Sequence, residues 1–362
     1  MRGAGNHFAS DLCMQLVGRP MPPWVSASGC GARARGGAAA ARGGASRAQL
    51  RVVSEAGVSG LTVAITGATG FIGSRLAAKL ASQGAKVRVL TTRDAAAAKA
   101  AVPIPGAEFF VPSQWAEGVA GADAVVNLAG TPIGTRWSAE IKKLIKTSRT
   151  DTTAKVAAAI AAAPEGRRPK VFVSSSAVGY YGTSQTASYT EDSPVGRDYL
   201  AEVCRDWEAA AAKVPAGVRV AIVRTGIVLD RGGGVLAKML PIFSLFAGGP
   251  LGSGKQWMSW IHRDDIVDLI VEMIKNPAYE GAFNGTAPRP VTMGQFCFAL
   301  GTAMGRPSWL PVPDFAITTL LGEGATVVLE GQQVLPSRAQ AAGFKFKYPD
   351  LDTALTQIMG KP

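Results

Sequence analysis

Two rhythms of apolar and polar positions alternate along this chain, and the switching between them predicts its fold. Residues 61–66, Leu-Thr-Val-Ala-Ile-Thr, are a short apolar run ending in glycine turns. Such a run reads as a strand buried on both faces of a parallel sheet. A helical stretch follows over 71–83 and is stopped by Gly84. Further strands are predicted over 86–91, 122–128, 170–175 and 218–224, with helical patterns between several of them. Over 137–163, Ile141, Ile145, Thr152, Val156 and Ile160 recur at helical spacing. Strands alternating with helices over about 170 residues predict an α/β protein with a doubly wound parallel sheet of the Rossmann type.

After Asp230 the pattern loosens. Residues 232–234 and 248–254 are glycine-rich loops, and a proline-rich stretch over 307–313 precedes the last helical pieces. This half is expected to form a smaller C-terminal α/β lobe over the carboxyl edge of the sheet, where open α/β folds bind ligands. The expected organisation is a leading segment over 1–58, then a Rossmann domain over 59–300 with substrate-lobe insertions from about 231. A small C-terminal domain over 301–362 completes it.

Composition changes the picture at the N-terminus. Residues 1–58 are rich in Ala, Gly, Ser and Arg and poor in acids, as organellar transit peptides are. No apolar core of the kind a secretory signal needs is found there. The same composition suits a disordered Ala/Gly-rich tail. Plastid and mitochondrial peptides overlap, and the lack of an Arg-bearing amphipathic helix in residues 1–30 favours the chloroplast, with the mitochondrion as the alternative. The net charge of +12 does not point to nucleic acid, because no Lys/Arg run is interleaved with aromatics. No stretch reaches the ~18 apolar residues of a transmembrane helix, which leaves peripheral association with an envelope membrane and homo-oligomers open. The four cysteines form no CxxC pair and there are two histidines, so a disulfide framework or a metal site is not expected.

The chemistry begins at Gly67-Ala68-Thr69-Gly70-Phe71-Ile72-Gly73, which follows a strand and opens a helix. In that context a glycine triplet marks a dinucleotide loop: one glycine permits the turn, one lets backbone amides approach the diphosphate, and one lets helix and strand pack closely. The helix N-terminus adds positive partial charge. The second strand ends Thr91-Thr92-Arg93, with Asp94 one place later. An arginine there suits the 2′-phosphate of NADP(H), whereas an acid would bond the ribose of NAD. The pattern favours NADP(H), with Asp94 as a ribose ligand the alternative.

The glycine loop, Asn127-Leu128-Ala129-Gly130 and the segment from Ser174 to Gly182 occur in the order of the extended short-chain dehydrogenase/reductase superfamily, which they resemble. Residues 200–208, 224–229, 260–265 (Trp-Ile-His-Arg-Asp-Asp) and 334–338 (Val-Leu-Pro-Ser-Arg) narrow the resemblance to the YfcH-like "39U" epimerase-family proteins, including their plastid members. It covers about 61–358. It implies a Rossmann domain binding NADP(H), a small C-terminal domain peculiar to the branch, and a link to cell division. For a plastid member that link becomes a division or envelope-associated role. Residue by residue, it assigns Gly67, Thr69, Gly70, Phe71, Ile72 and Gly73 to the phosphate loop and Thr92 and Arg93 to the 2′-phosphate. Leu128, Ala129 and Gly130 fall beside the adenine-side ribose, and Arg149 near the cofactor.

Working members of that superfamily use Ser, Tyr and Lys, the last two spaced YxxxK. A phenol titrates near pH 10, so it needs a neighbouring cation to act at neutral pH. Ser176, or Ser174, stands at the matching strand end, and Tyr199 at the helix start. Val203 occupies the lysine's place, and a register shift puts Leu200 and Cys204 at the two positions. Arg205 substitutes only if the helix turns it inward. Tyr180 and Tyr181 are replacements or turn packing. His262 reads as an anchor of the substrate lobe, Asp264 and Asp265 as a helix N-cap pair, and Trp257 and Trp260 as core or pocket wall. Two readings follow: an oxidoreductase or epimerase-like enzyme on an unidentified small molecule, with an incomplete site, or a nucleotide-binding regulator.

Overall fold

The computed structural model describes residues 57–360, apart from 102. Most of the expected transit segment, 1–58, lies outside the described residues. Val58 is in the core at 2% exposure, and the Leu61 amide donates to its carbonyl at 3.1 Å. The folded part therefore includes the last residues assigned to that segment.

The chain builds the doubly wound parallel sheet its pattern predicts. Strand β1 (Thr62–Thr66) leads into α1 (Phe71–Ser82), β2 (Lys86–Leu90), α2 (Ala95–Ala101), β3 (Glu108–Phe110), α3 (Trp115–Val119), β4 (Ala124–Asn127), α4 (Ala139–Ala162) and β5 (Val171–Ala177). A short strand β6 (Ser188–Tyr189), helix α5 (Tyr199–Ala211) and β7 (Arg219–Thr225) follow. Then come β8 (Ile227–Asp230), α6 (Gly234–Ser244), β9 (Trp257–Met258), β10 (Trp260–His262), α7 (Arg263–Lys275) and β11 (Gly281–Gly285). The main sheet runs β11-β7-β5-β4-β1-β2-β3, and every pair in it is parallel. Strand order reverses at β1, and the crevice beyond its carboxyl end is where such sheets take ligands.

The burial explains the sequence pattern. Ala124, Val125, Val126 and Asn127 of β4 are all buried, as a strand covered on both faces must be. Ile65, Val63, Val126 and Val173 join residues of α1 and α7 in one core, and Ala64, Val125, Phe172 and Ile160 form the layer on the other face. The edge strands β3 and β11 were not predicted. β3 has three residues, and β11 reads Gly-Ala-Phe-Asn-Gly, too short and too glycine-rich for a clear pattern.

The remaining elements are β12 (Val291–Thr292), α8 (Met293–Met304), α9 (Asp314–Leu321), α10 (Thr326–Leu329), β13 (Gln333–Val334), α11 (Ser337–Ala341) and α12 (Leu351–Met359). The boundary expected at 300/301 falls inside α8. Leu355 and Ile358 of α12 share a core with Leu236 and Phe243 of α6 and Phe296 and Leu300 of α8, so the C-terminal helices complete the lobe begun after β7. Among the described residues, no helix is long and apolar enough to cross a membrane.

Candidate functional site

The glycine loop closes on itself by backbone bonds. Gly70 N donates to Gly67 O at 2.9 Å, and Ser74 N to Gly70 O at 3.0 Å. Gly67 has φ +70°, and a Cβ there would meet the Leu128 carbonyl carbon and oxygen at 2.8 Å. A Cβ on Gly73 would stand 2.1 Å from Gly67 O. The first turn of α1 carries no acidic side chain, and Gly70 at its N-cap offers no side-chain acceptor. Its leading amides are thus left for an outside anion. The loop fits a dinucleotide diphosphate on steric grounds as well, since only glycine leaves this much open backbone.

Neighbouring elements hold the loop. The guanidinium of Arg263 lies 4.6 Å from the Phe71 ring centroid and bonds Ser74 Oγ at 3.0 Å and Asp230 at 3.1 Å. Gly233 and Gly234 press on the other parts of that ring. Ile72 and Thr69 are half-buried beside it. Behind Leu128, Ala129 and Gly130, the buried Asn127 accepts from Thr66 Oγ1 at 2.6 Å and donates to Thr153 Oγ1 at 2.7 Å. Trp207 Nε1 also donates to Thr153 Oγ1, at 2.8 Å, so β4, α4 and α5 meet at one hydroxyl, and Asn127 links it to β1.

At the end of β2, Thr92 and Arg93 are exposed, with the Arg93 amide fixed on Thr91 Oγ1 at 2.9 Å. Asp94 points its carboxylate at the start of α2, where Oδ2 accepts from Ala97 N at 3.0 Å. That engagement occupies an oxygen of the acid an NAD site would use.

A cavity of about 420 Å³ opens beyond the carboxyl ends of β5 and β7. Ile133, Ile145, Leu200, Val203 and Ile227 supply apolar wall, with Arg149, Tyr199 and Cys204 among them. Residues 323–332 close the far side, a wall that sequence reasoning missed because those residues carry no motif. The structure does not bring the two catalytic candidates together. Tyr199 lines the cavity, but its hydroxyl donates to the Lys142 carbonyl and its ring meets Trp137 edge-on at 5.4 Å. Burial raises its pKa despite the charges of Lys142 and Arg149. Ser176 is 2% exposed and donates to Glu208 Oε1 at 2.6 Å. Arg205 faces outward and pairs with Asp206 at 3.0 Å, so it supplies no cation to the site. Cys204 is buried, and burial pushes its thiol up to about 12, too high for a thiolate at neutral pH.

Tyr180 and Tyr181 pack rather than react. Arg224 lies 3.5 Å from the Tyr180 ring centroid, and Tyr181 Oη donates to Asn284 at 2.6 Å. Trp260 is fully buried and Trp257 lines the cavity. The N-cap of α7 is His262 itself, whose Nδ1 accepts from Asp264 N at 3.0 Å while Nε2 faces Gln357 Oε1 at 2.9 Å. Asp265 instead accepts from the amides of Lys347 and Tyr348 at 2.8 and 3.0 Å, tying down the C-terminal segment.

These bonds fix His262 as a neutral imidazole, and burial lowers its pKa from 6.5. The unfolded chain therefore takes up the proton first as pH falls. Stability is fully present above about pH 6.5 and is lost below it. Melting temperature should be level from pH 8 to 7 and fall towards pH 5.5, and His262→Asn, which keeps a capping side chain, should flatten that fall. An unchanged slope in the variant would assign the pH dependence elsewhere.

The fold and loop define a dinucleotide-binding protein of the extended Rossmann type with a cavity beyond the carboxyl edge of its sheet. The comparisons make the class specific. Residues 63–284 match the NAD dependent epimerase/dehydratase family, and residues 312–358 match a domain of unknown function, DUF1731. The chain belongs to the NAD dependent epimerase/dehydratase family. It is 56% identical over 303 residues to the chloroplastic epimerase family protein SDR39U1 homolog of Arabidopsis thaliana, covering 83% of this chain and 87% of that one. It is 37% identical to the Homo sapiens epimerase family protein SDR39U1, covering 83% of this chain and all of that one. A crystal structure of the human protein (isoform 2) with NADPH superposes with a TM-score of 0.76 at 36% identity, over 83% of this chain and 100% of that one.

Proposed function

We propose that this protein binds NADP(H) across the carboxyl edge of the sheet and acts with it on a small molecule held in the cavity between α5 and residues 323–332. The single observation behind the reading is the loop at 67–73, where two glycines stand too close to neighbouring backbone for any side chain. In this reading Gly67, Thr69, Gly70, Phe71, Ile72 and Gly73 hold the diphosphate. Thr92 and Arg93 meet the 2′-phosphate, Leu128, Ala129 and Gly130 flank the adenine-side ribose, and Arg149 lies towards the nicotinamide end. The human relative's NADPH and the exposed Arg93 both favour NADP(H) over NAD(H). The chloroplastic relative supports a plastid location, with a transit segment that ends before the folded part begins at residues 57–58. The bound cofactor would supply the hydride. In this reading Tyr199, which lines the cavity, serves as the proton donor, and Ser176 acts behind it by fixing the end of β5.

A second reading, an NADP(H)-bound regulator without turnover, is favoured by one observation: Val203, not a lysine, stands four residues after Tyr199, and burial shifts its phenol further from neutrality. The division role has no observation of its own in the fold or the site.

Fluorescence titration with NADPH and NADH tests the first step. Arg93→Ala should weaken NADPH about ten- to a hundredfold and leave NADH unchanged, as loss of charge-assisted bonds to a phosphate does. Equal loss for both cofactors would remove Arg93 from the site. Incubation of the NADPH complex with a carbonyl and nucleotide-sugar panel then separates the readings. Turnover lost in Tyr199→Phe supports the enzyme, and tight binding without any oxidation supports the regulator.

A further inference from the structure

The cavity wall carries one basic side chain, Arg149, and three acids, Asp198, Glu323 and Glu330. The acids are exposed at the rim and already engaged. Glu323 pairs with Lys142 Nζ at 2.8 Å, Glu330 accepts from Thr183 Oγ1 at 2.7 Å, and Asp198 caps α5 by accepting from Ala201 N at 2.8 Å. Arg149 differs. It reaches from α4 into the apolar part of the cavity, where its partners among the described residues are neutral. Nη1 donates to Ile145 O and Nη2 to Thr131 O, both at 2.9 Å, and the guanidinium lies 5.3 Å from the Trp207 ring centroid. Among the described residues no carboxylate pairs with it.

That arrangement is costly without a further partner. A charge half-buried among apolar side chains is normally paired, and water screens it less than it screens the exposed acids at the rim. Burial pulls the guanidinium's pKa down, yet an arginine stays charged at neutral pH. The backbone makes room for it: a Cβ on Gly130 would stand 3.2 Å from its Cζ. Helix α4 thus brings a fixed positive charge beside Tyr199 and Cys204, on the α5 face where the superfamily's lysine is absent.

We propose that the cavity selects a small carboxylate with an apolar body, its oxygens paired with the free N–H groups of Arg149 and its hydrocarbon against Ile133, Ile145, Val203 and Ile227. This names the substrate class for the site proposed above and rests on that reading for the cavity's role, though not for its binding. A planar guanidinium matches a carboxylate bidentately, and a cavity of this volume suits a compact ligand whose surface is mostly covered.

Calorimetry on the full chain tests it with hexanoate and hexanamide, equal in length and differing in charge, with and without saturating NADPH. The NADPH titration that precedes these runs reports on the cofactor reading independently. Hexanoate should bind at least about tenfold tighter than hexanamide with NADPH present. Arg149→Met should erase the difference, and Arg149→Lys should restore part of it. Equal binding of the two probes to the wild-type chain overturns the proposal without any variant. A preference seen in the free chain but erased by NADPH overturns it too, since the cation then serves the cofactor's own phosphates. A preference that survives intact in a folded Arg149→Met would move the anion site elsewhere.

Discussion

Gly73→Ala is expected to abolish dinucleotide binding, raising the NADPH dissociation constant at least about a hundredfold, or some 3 kcal/mol. The added methyl would stand 2.1 Å from Gly67 O, 2.8 Å from Gly67 C and 2.9 Å from Ala68 Cα. All three contacts are backbone, so no side chain can swing away. The loop must move off α1 as a body, carrying with it the amides that face the diphosphate. Overpacking of this kind ordinarily costs about 1–3 kcal/mol of stability as well, because Gly73 also lets α1 lie close on β1. Gly67→Ala should behave similarly for a different reason, since φ +70° adds backbone strain to the clash with Leu128. Gly166→Ala is the control: nothing lies within 4 Å of its Cβ position and its φ is ordinary. Binding is read by NADPH fluorescence and folding by thermal melting. NADPH affinity within about threefold of wild type in Gly73→Ala would mean that the diphosphate does not use this loop.

The glycine loop was legible because its constraint is local. Turn, amide and close approach are all made by residues adjacent in sequence, so strand, spacing and helix together announce it. The parallel sheet was legible for a related reason: strands covered on both faces carry unbroken apolar runs, and β1, β4, β5 and β7 each hold one, at residues 63–65, 124–126, 171–173 and 220–223. What the sequence could not display is geometry assembled from distant segments. Arg149 reads as one charge in a polar helix until α4 is laid against α5, and then it faces Cys204 and Trp207 across 55 and 58 positions of chain. Residues 323–332 wall the cavity without any motif. Ser176 looked available because it ends a strand at the catalytic edge, yet its hydroxyl is spent on Glu208, a residue whose place on an amphipathic helix suggests solvent. His262 was legible as an anchor but not as the cap of its own helix, because the cap geometry depends on the angle at which β10 enters α7.

The network behind Ser176 carries the other large effect. Arg224 is 4% exposed and binds Glu208 bidentately, Nε to Oε1 and Nη2 to Oε2, both at 2.9 Å. It also donates to Tyr181 Oη at 2.9 Å and lies over the Tyr180 ring, so one guanidinium joins β7, α5 and the turn after β5. Arg224→Met should destabilise the protein by about 3–5 kcal/mol, the usual result of stranding one member of a buried ion pair. Glu208 would be left with only the Ser176 hydroxyl as a partner. Ser176→Ala removes a single neutral donor and should cost about 1–2 kcal/mol. Replacing both ions, Glu208→Leu with Arg224→Met, should recover part of the loss, because neither charge is then left alone. Urea denaturation of the wild type, Ser176→Ala, Arg224→Met, Glu208→Leu and the double variant measures each step, and the cycle without Ser176→Ala gives the coupling between the two ions. Arg224→Met within about 1 kcal/mol of wild type would show that the pair is not a strut. The consequence for function follows from position: Ala177 and Thr225, the residues just beyond this network on β5 and β7, line the cavity. A chain that keeps its fold but loosens this strut should keep NADPH binding at the 67–73 loop and lose selectivity for what sits in the cavity.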